Sequence, residues 1–170
     1  MAEPQPRASA LDALDLRLLA AVVAHPARSN RALADDLGIP ESTAAYRLRM
    51  LRSRGVLGGL RVEVDAPSLG LPLQAVIRVR LGRHTREGVE SLFDALVRTP
   101  GAIEVFHVAG EDDFLVHVAV EDAAALRDVV LQHITVHPIV RTTETNLVFE
   151  RRDGVGPLAR VSSEGQLQSE

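Results

Sequence analysis

The sequence predicts an α+β protein of two domains, with three helices in the first and the element order β-α-β-β-α-β in the second. Apolar residues recur at intervals of three and four through residues 11–54, which is typical of amphipathic helices. From residue 73 onward, short apolar runs with strand character alternate with two further helical patterns. Residues 1–62 hold nine arginines and six acids, net +3, whereas residues 63–170 hold ten arginines and seventeen acids, net −7. Two parts of opposite charge are expected to have different partners.

The composition is that of an ordinary folded protein. Of the 170 residues, 46% are hydrophobic and 25% are charged, which excludes the disordered, collagen-like and coiled-coil classes. No apolar run reaches the roughly 20 residues that span a bilayer, and the first ten residues lack the apolar stretch of a secretion signal. The chain has no cysteine, which excludes disulfides, a thiolate nucleophile and Cys-ligated zinc. We therefore expect a cytoplasmic protein.

The first domain is predicted to contain three helices, over residues 11–25, 30–37 and 40–54. The first helix ends before Pro26, because proline restricts the residue that precedes it. Ser29 is a candidate N-cap of the second helix, and Gly38 supplies its left-handed C-cap. Pro40 suits the first turn of the third helix. Residues 56–64 alternate too weakly to predict a strand. The tight glycine turn between the second and third helices predicts a helix-turn-helix domain.

The second domain is predicted to contain four strands and two helices: strands over residues 75–81, 103–109, 114–120 and 140–149, and helices over residues 85–98 and 123–136. Between the second and third strands, Gly-Glu-Asp-Asp at residues 110–113 has the chemistry of a hairpin turn. This order is that of the ferredoxin-like split β-α-β arrangement. The predicted organisation is a disordered tail (1–10), a helix-turn-helix domain (11–62), a linker (63–72), a ferredoxin-like domain (73–150) and a loose tail (151–170).

One face of such a sheet has no helices over it. Val76, Leu115, Val116 and Val148 lie in the predicted strands and indicate that this face is partly apolar. Burial against a second copy of the chain is a common solution for an exposed apolar face. We therefore expect a dimer as the basic unit, with higher multiples built from it.

The third helix has two chemically different faces. At about 100° per residue, Ala44, Leu48 and Leu51 fall within about 60° of one another and are expected to pack on the first two helices. The opposite side and its flank carry mostly hydroxyl, aromatic and guanidinium groups: Ser42, Thr43, Tyr46, Arg47, Arg49, Met50, Ser53 and Arg54. Hydroxyls near a helix N-terminus can approach base edges in the major groove, and arginine can bind guanine or phosphate. These features predict a recognition helix, and a solvated arginine-rich face is the plainer alternative.

Taken in order, several segments resemble the Lrp/AsnC (feast/famine) transcriptional regulators, over about residues 11–150. The segments are LDALDLRLL, SNRALADDLGI, STAAYRLRMLRSRGVLGG, GEDDFLVHV and VRTTETNLVFE. The resemblance implies a helix-turn-helix, winged-helix-like domain followed by a ferredoxin-like domain that binds an effector, in many members an amino acid. It also implies dimers, often assembled into rings. Pro40 departs from the family pattern, in which many members have a serine cap before the recognition helix.

The resemblance also implies the site residues. The DNA-facing positions are Ser42, Thr43, Tyr46, Arg47 and Arg49, and the effector loop is Gly110, Glu111, Asp112 and Asp113. The loop chemistry agrees, because Gly110 permits close approach and Asp113 can accept hydrogen bonds from an ammonium group. The same loop also suits an ordinary polar hairpin. Since neither Arg47 nor Arg49 is on the packing face, replacing either is expected to weaken DNA binding with little change in stability.

The expected partners are double-stranded DNA, a small effector and a second copy of the chain, and no cofactor or metal is expected. A competing interpretation is an enzyme of the same architecture, since sirohaem decarboxylases resemble this arrangement and use histidines near the pocket of the second domain. His107 and His117 would be the candidates here. The arginines and hydroxyls of the third helix favour the regulator. Hydrolase, NTPase and dinucleotide-binding motifs are absent from the sequence.

Overall fold

The computed structural model describes residues 11–158. The described chain divides into two units: residues 11–62 with residues 153–158, and residues 63–152. The predicted tails fall mainly on residues 1–10 and 159–170, which lie outside the described residues. Leu158, within the predicted loose tail, is half-buried against the apolar core of the first unit. None of the helices in the described part has the length and apolar character needed to cross a bilayer.

The first unit contains helices α1 (Ala13–Ala24), α2 (Asn30–Leu37) and α3 (Glu41–Ser53). Helix α1 begins later than predicted because Asp12 is its N-cap, and the Asp12 carboxylate accepts a hydrogen bond from the Asp15 N–H at 2.8 Å. The predicted Ser29 cap of α2 is confirmed, with the serine oxygen accepting from the Ala32 N–H at 3.2 Å. Gly38 ends α2 with φ of 66°, a conformation that glycine adopts without steric cost.

Helix α3 packs through the predicted face. Ala44, Leu48 and Leu51 are each at most 1% exposed. They share one core with apolar residues of α1 and α2, namely Leu18, Leu19, Leu33 and Ala34. Each fully buried leucine contributes about 1.5–3 kcal/mol to folding. The prediction that Pro40 lies in the first turn of α3 is wrong, because Pro40 is the residue before the helix and provides no side-chain cap.

The second unit has the predicted element order and is a four-stranded antiparallel sheet with helices over one face. A short 3-10 turn at Pro67–Leu69 precedes it. Its elements are β1 (Leu73–Leu81), α4 (Arg86–Leu96), β2 (Ala102–His107), β3 (Phe114–Val120), α5 (Ala123–Val129) and β4 (Val140–Leu147). The strands lie in the order β2-β3-β1-β4. Helix α5 continues into a π-helical turn, Val130–Ile134, which the sequence analysis did not predict.

The core of the second unit lies between the sheet and its helices. Alternate residues of β1 and β3 point into it, because successive side chains of a strand face opposite sides. The buried strand residues are Ala75, Ile77, Val79, Leu81, Phe114, Val116, Val118 and Val120. They pack against Leu92 and Leu96 of α4, and against Leu126, Val129 and Ile134 from α5 and the π-helical turn.

The other face of the sheet is partly apolar, as expected, but not all of the residues named for it lie there. Val116 is fully buried on the helix side, and Val148 follows the end of β4. On the helix-free face, Arg78 of β1 lies between Leu115 of β3 and Glu144 of β4. This face therefore combines apolar side chains with ion pairs.

Candidate DNA-binding and effector sites

Helix α3 leaves all five predicted DNA-facing side chains at least partly exposed, that of Arg47 to 33%. Ser42 and Arg49 are exposed, Tyr46 is 53% exposed and Thr43 is partly exposed. The guanidinium carbon of Arg49 lies 5.9 Å from the centre of the Tyr46 ring, within the range of a cation–π contact. Glu41 is the only acid in the helix sequence and occupies its first turn, where the helix dipole favours a negative charge. The surface of α3 thus offers hydroxyl, aromatic and guanidinium groups.

Arg47, the fifth predicted residue, is bound within the domain. Its Nη1 donates to Asp15 Oδ1 at 3.0 Å and also pairs with the Asp12 carboxylate. Asp15 is only 5% exposed, so the ion pair reaches beneath the surface of the domain. Arg47 is therefore tied to the first turn of α1, and the expectation that its replacement leaves stability nearly unchanged remains a prediction.

The hydrogen bonds of this cluster hold its groups in their charged forms. The pKa of Asp12 lies below its usual value, first because its carboxylate accepts from the Asp15 N–H and second because Arg47 donates to it. The pKa of Arg47 is raised, first by its hydrogen bond to Asp12 and then by that to Asp15. At neutral pH the cluster therefore contains a charged arginine and a charged Asp12.

The loop between β2 and β3, residues 108–113, is fixed to β1 by Asp112. Asp112 accepts hydrogen bonds from Arg78 Nε at 2.6 Å and from Arg80 Nε at 2.8 Å. These two donors keep the pKa of Asp112 below its usual value, Arg80 having the larger effect. Gly110, within this loop, has φ of 145°, in a region that residues with a side chain rarely adopt. The hydrogen bonds of Asp112 therefore hold the loop on β1, and any residue with a side chain in place of Gly110 would strain the backbone there.

Asp113 is also engaged, although it stays partly accessible. Its Oδ2 accepts from the Leu81 N–H at 2.7 Å, and its Oδ1 lies 2.5 Å from His84 Nε2. Burial pushes the pKa of Asp113 upward, but the Leu81 N–H and His84 outweigh it, and the pKa lies below its usual value. Asp113 thus carries a negative charge at the end of the loop.

A cleft of about 440 Å³ opens beside the loop. It is lined by Arg80, Leu81, His84, Gly110, Glu111, Asp113, Arg141 and Thr142. Three of the four predicted effector residues line it, and Asp112 does not. The lining combines two carboxylates with two guanidinium groups and a histidine, which suits a ligand that carries both positive and negative charge.

Five further residues line this cleft and were not predicted from the sequence: Arg80, Leu81, His84, Arg141 and Thr142. Arg80 pairs with Thr142 in the antiparallel register of β1 and β4, so the start of β4 lies beside the end of β1. The ferredoxin-like topology contains this signal, because its first and last strands are neighbours. A basic residue at the start of the last strand was therefore a detectable candidate.

The two histidines of the enzyme interpretation lie apart. The His107 ring stacks on Phe114 with centroids 4.6 Å apart, and His117 is 7% exposed with Nε2 3.0 Å from Gln74 Oε1. The antiparallel register pairs His107 with Phe114, which faces the helices, whereas His117 lies on the other face. Neither histidine lines the cleft. Within residues 11–158, no group of three or more His, Asp or Glu side chains is placed to hold a metal ion.

Two protein families match this chain. Residues 11–57 match the winged helix-turn-helix DNA-binding family, and residues 74–154 match the Lrp/AsnC ligand-binding domain. The transcriptional regulator AldR of Mycobacterium tuberculosis is 36% identical over 152 residues, which cover 89% of this chain and 85% of AldR. AldR of Mycolicibacterium smegmatis is 39% identical over 153 residues, which cover 89% of each chain.

Solved structures share the fold. The crystal structure of the M. tuberculosis AldR matches with a TM-score of 0.69 at 34% identity, over 86% of this chain and 100% of that one. AsnC of E. coli has a TM-score of 0.76 at 21% identity, over 88% and 99% of the two chains. A Neisseria meningitidis transcriptional regulator, solved as a complex with L-methionine, has a TM-score of 0.79 at 23% identity, over 89% and 99%. The last two likenesses concern the fold alone.

We expect the stability of the first unit to depend on pH through the carboxylate of Asp12. Because the folded pKa of Asp12 is below its usual 3.8, its stabilising effect is complete above that value and is lost as the pH falls through the folded pKa. Tyr46 is the only tyrosine in a chain without tryptophan, so its fluorescence reports unfolding of this unit. We expect the melting temperature to fall below about pH 4.

Asp12→Asn is expected to flatten this dependence at low pH, because asparagine still caps a helix but does not titrate. Asp35→Asn, at an exposed position of α2, is the control and should retain the wild-type dependence. Equal pH dependence in wild type and Asp12→Asn would show that Asp12 is not responsible.

Proposed function

The chain belongs to the Lrp/AsnC family of transcriptional regulators, and we propose that it binds specific DNA sequences in response to a free amino acid. The observation that carries the first part is the surface of α3, where Ser42, Tyr46 and Arg49 are accessible on a helix anchored by its opposite face. The cleft beside residues 110–113 carries the second part. A regulator of this kind acts on the chromosome, so we place it in the cytoplasm and assign it no catalytic step.

Recognition of DNA follows from the polarity of α3. Ser42 and Thr43 lie in the first turn, and their short hydroxyls can approach base edges when the helix enters the major groove N-terminus first. Arg49 lies about two turns further along and can pair with a guanine or a phosphate. Its contact with the Tyr46 ring restricts the guanidinium before DNA arrives, which lowers the entropy lost on binding.

Arg49→Ala is expected to weaken binding to the operator by about 1–3 kcal/mol if Arg49 contacts a base. Operator duplexes are first enriched from fragments of the source genome, and binding is then followed by fluorescence anisotropy at several salt concentrations. A base contact weakens binding to the enriched duplex alone, whereas a phosphate contact weakens binding to all duplexes and flattens the salt dependence.

The control is Arg86→Ala, which removes an exposed arginine from the other unit. Its affinity for DNA should equal that of wild type. An Arg49→Ala protein with wild-type affinity would mean that α3 does not present its exposed face to DNA.

The charged groups of the cleft are complementary to those of an α-amino acid. Glu111, with a side chain 77% exposed, and Asp113 can accept hydrogen bonds from an ammonium group. Arg141 is exposed, forms no ion pair within the described residues and can bind a carboxylate with two hydrogen bonds. The N. meningitidis regulator of the same fold was solved with L-methionine, and an amino acid here would be a ligand of the same class.

Arg141→Ala is expected to weaken amino-acid binding by about 1.5–3 kcal/mol, the contribution of a charged hydrogen bond. Calorimetry against the twenty amino acids identifies the ligand, and the amine that lacks its carboxylate is then compared. Affinity for the amine should hardly change in this variant. Asp113→Asn should weaken binding of both compounds, because both keep the ammonium group.

Arg83→Ala is the matched control. Arg83 is exposed and lies next to the cleft residue His84 in the sequence, but it does not line the cleft. It should bind the amino acid as wild type does. Loss of affinity for the amino acid and the amine alike in Arg141→Ala would contradict a carboxylate contact.

We also propose that the basic unit is a dimer joined through the helix-free face of the sheet. The apolar Val76, Leu115 and Phe106 share this face with the ion pair between Arg78 and Glu144, so two copies related by a two-fold axis can bury these apolar side chains against one another. Light scattering should give at least twice the 18.4 kDa of one chain at micromolar concentration. Leu115→Glu should shift the protein toward the monomer, and a monomeric wild type would contradict the proposal.

A further inference from the structure

We propose that Arg47 is a positioning residue: clamped by Asp12 and Asp15, it fixes the rotation of the recognition helix against α1 and makes no contact with DNA itself. The inference rests on the proposed DNA-binding function. It assigns a role within the domain to an arginine whose place in the sequence predicts a DNA contact.

The clamp joins two elements that are distant in sequence. Arg47 lies 32 residues from Asp15 and 35 from Asp12, and its Nη1 contacts both carboxylates. Asp15 is almost completely buried, so a charged Asp15 without a partner would be costly. Moving the guanidinium to a phosphate would require abandoning this buried partner.

The same two acids also start helix α1. Asp12 accepts from the Asp15 N–H, and the Asp15 carboxylate receives the Asp12 N–H at 3.4 Å, which completes a capping box. The first turn of α1 is therefore held rigidly by its own hydrogen bonds. Because Arg47 binds this rigid turn, the position of its guanidinium is fixed relative to α1.

The position of Arg47 on α3 makes such a contact effective. At about 100° per residue, Arg47 lies between the exposed Tyr46 and the buried Leu48. The apolar contacts of Leu48 and its neighbours are non-directional and permit small rotations of the helix, whereas a charged hydrogen bond is directional. Because Tyr46 and Arg49 are carried on the same rigid helix, fixing Arg47 also fixes the surface presented to DNA.

The test uses the full-length chain and Asp12→Asn/Asp15→Asn. Simple electrostatics predicts that removing two negative charges tightens binding to a polyanion. The clamp predicts the opposite for the enriched operator duplex, because α3 loses its fixed rotation. We expect operator affinity to fall at least about fivefold, the loss of one weakened base contact, with no loss of affinity for an unrelated duplex.

Affinities are measured at a temperature at which Tyr46 fluorescence reports a folded unit. A residue that only stabilised the fold would lower the melting temperature and leave the affinity of the folded protein unchanged. If the double variant does not fold, Asp12→Asn alone provides the same test, because asparagine still caps α1 but removes one of the two carboxylate charges that Arg47 contacts. The clamp predicts weaker and less selective operator binding for this variant as well.

Removing Arg47 from the double variant separates the two roles. If Arg47 only positions the helix, Asp12→Asn/Asp15→Asn/Arg47→Ala should bind the operator about as well as the double variant, with the same salt dependence. A further loss with a salt slope smaller by about one unit would make Arg47 a phosphate contact and overturn the proposal. Equal or tighter operator binding by the double variant would also overturn it. A wild-type chain that enriched no duplex would overturn the proposed function and the clamp together.

Discussion

Strand β1 is the element on which the second domain depends, because it pairs with both β3 and β4 and its two faces do different work. Ala75, Ile77 and Val79 are fully buried beneath the helices. On the other face, Arg78 and Arg80 both bind Asp112 and so attach the loop between β2 and β3 to the centre of the sheet. At the end of the strand, the Leu81 N–H binds Asp113. Strand β1 thus contributes to the core with one face, and with its other face and its end it holds the loop that lines the cleft.

Local sequence signals predicted the helices and their ends well. Ser29 and Gly38 act through hydrogen bonds and backbone conformations that involve only a few neighbouring residues, so they can be recognised without the rest of the fold. The same holds for the spacing of Ala44, Leu48 and Leu51, which a helix places on one side. The misplacement of Pro40 concerns a single residue at a helix end, where local rules are least decisive.

The errors arose where partners are distant in sequence. β3 is apolar at every position except His117. The run FLVHVAV therefore does not indicate which of its two alternating sets of side chains faces the helices. Pairing with β1 decides this and places Val116 inside. The partners of Arg47 and the approach of Arg141 to the loop likewise depend on contacts between separate elements. Composition identified the arginine-rich third helix but could not distinguish an arginine bound within the domain from one available to a ligand.

The ion pairs also change what the charge count means for DNA binding. Residues 1–62 have a net charge of +3, but this number treats every acid as equally able to repel DNA. Arg47 pairs with Asp12 and Asp15, and Arg28 pairs with Asp36, so three of the six acids are in ion pairs with two of the nine arginines. The potential near α3 then depends on the exposed Arg49 and Arg52 more than on the total. The second unit carries the negative excess of the chain, so electrostatics favours the approach of a polyanion to the face of α3 over its approach to the second unit. This difference in charge suits the two different partners proposed for the two units.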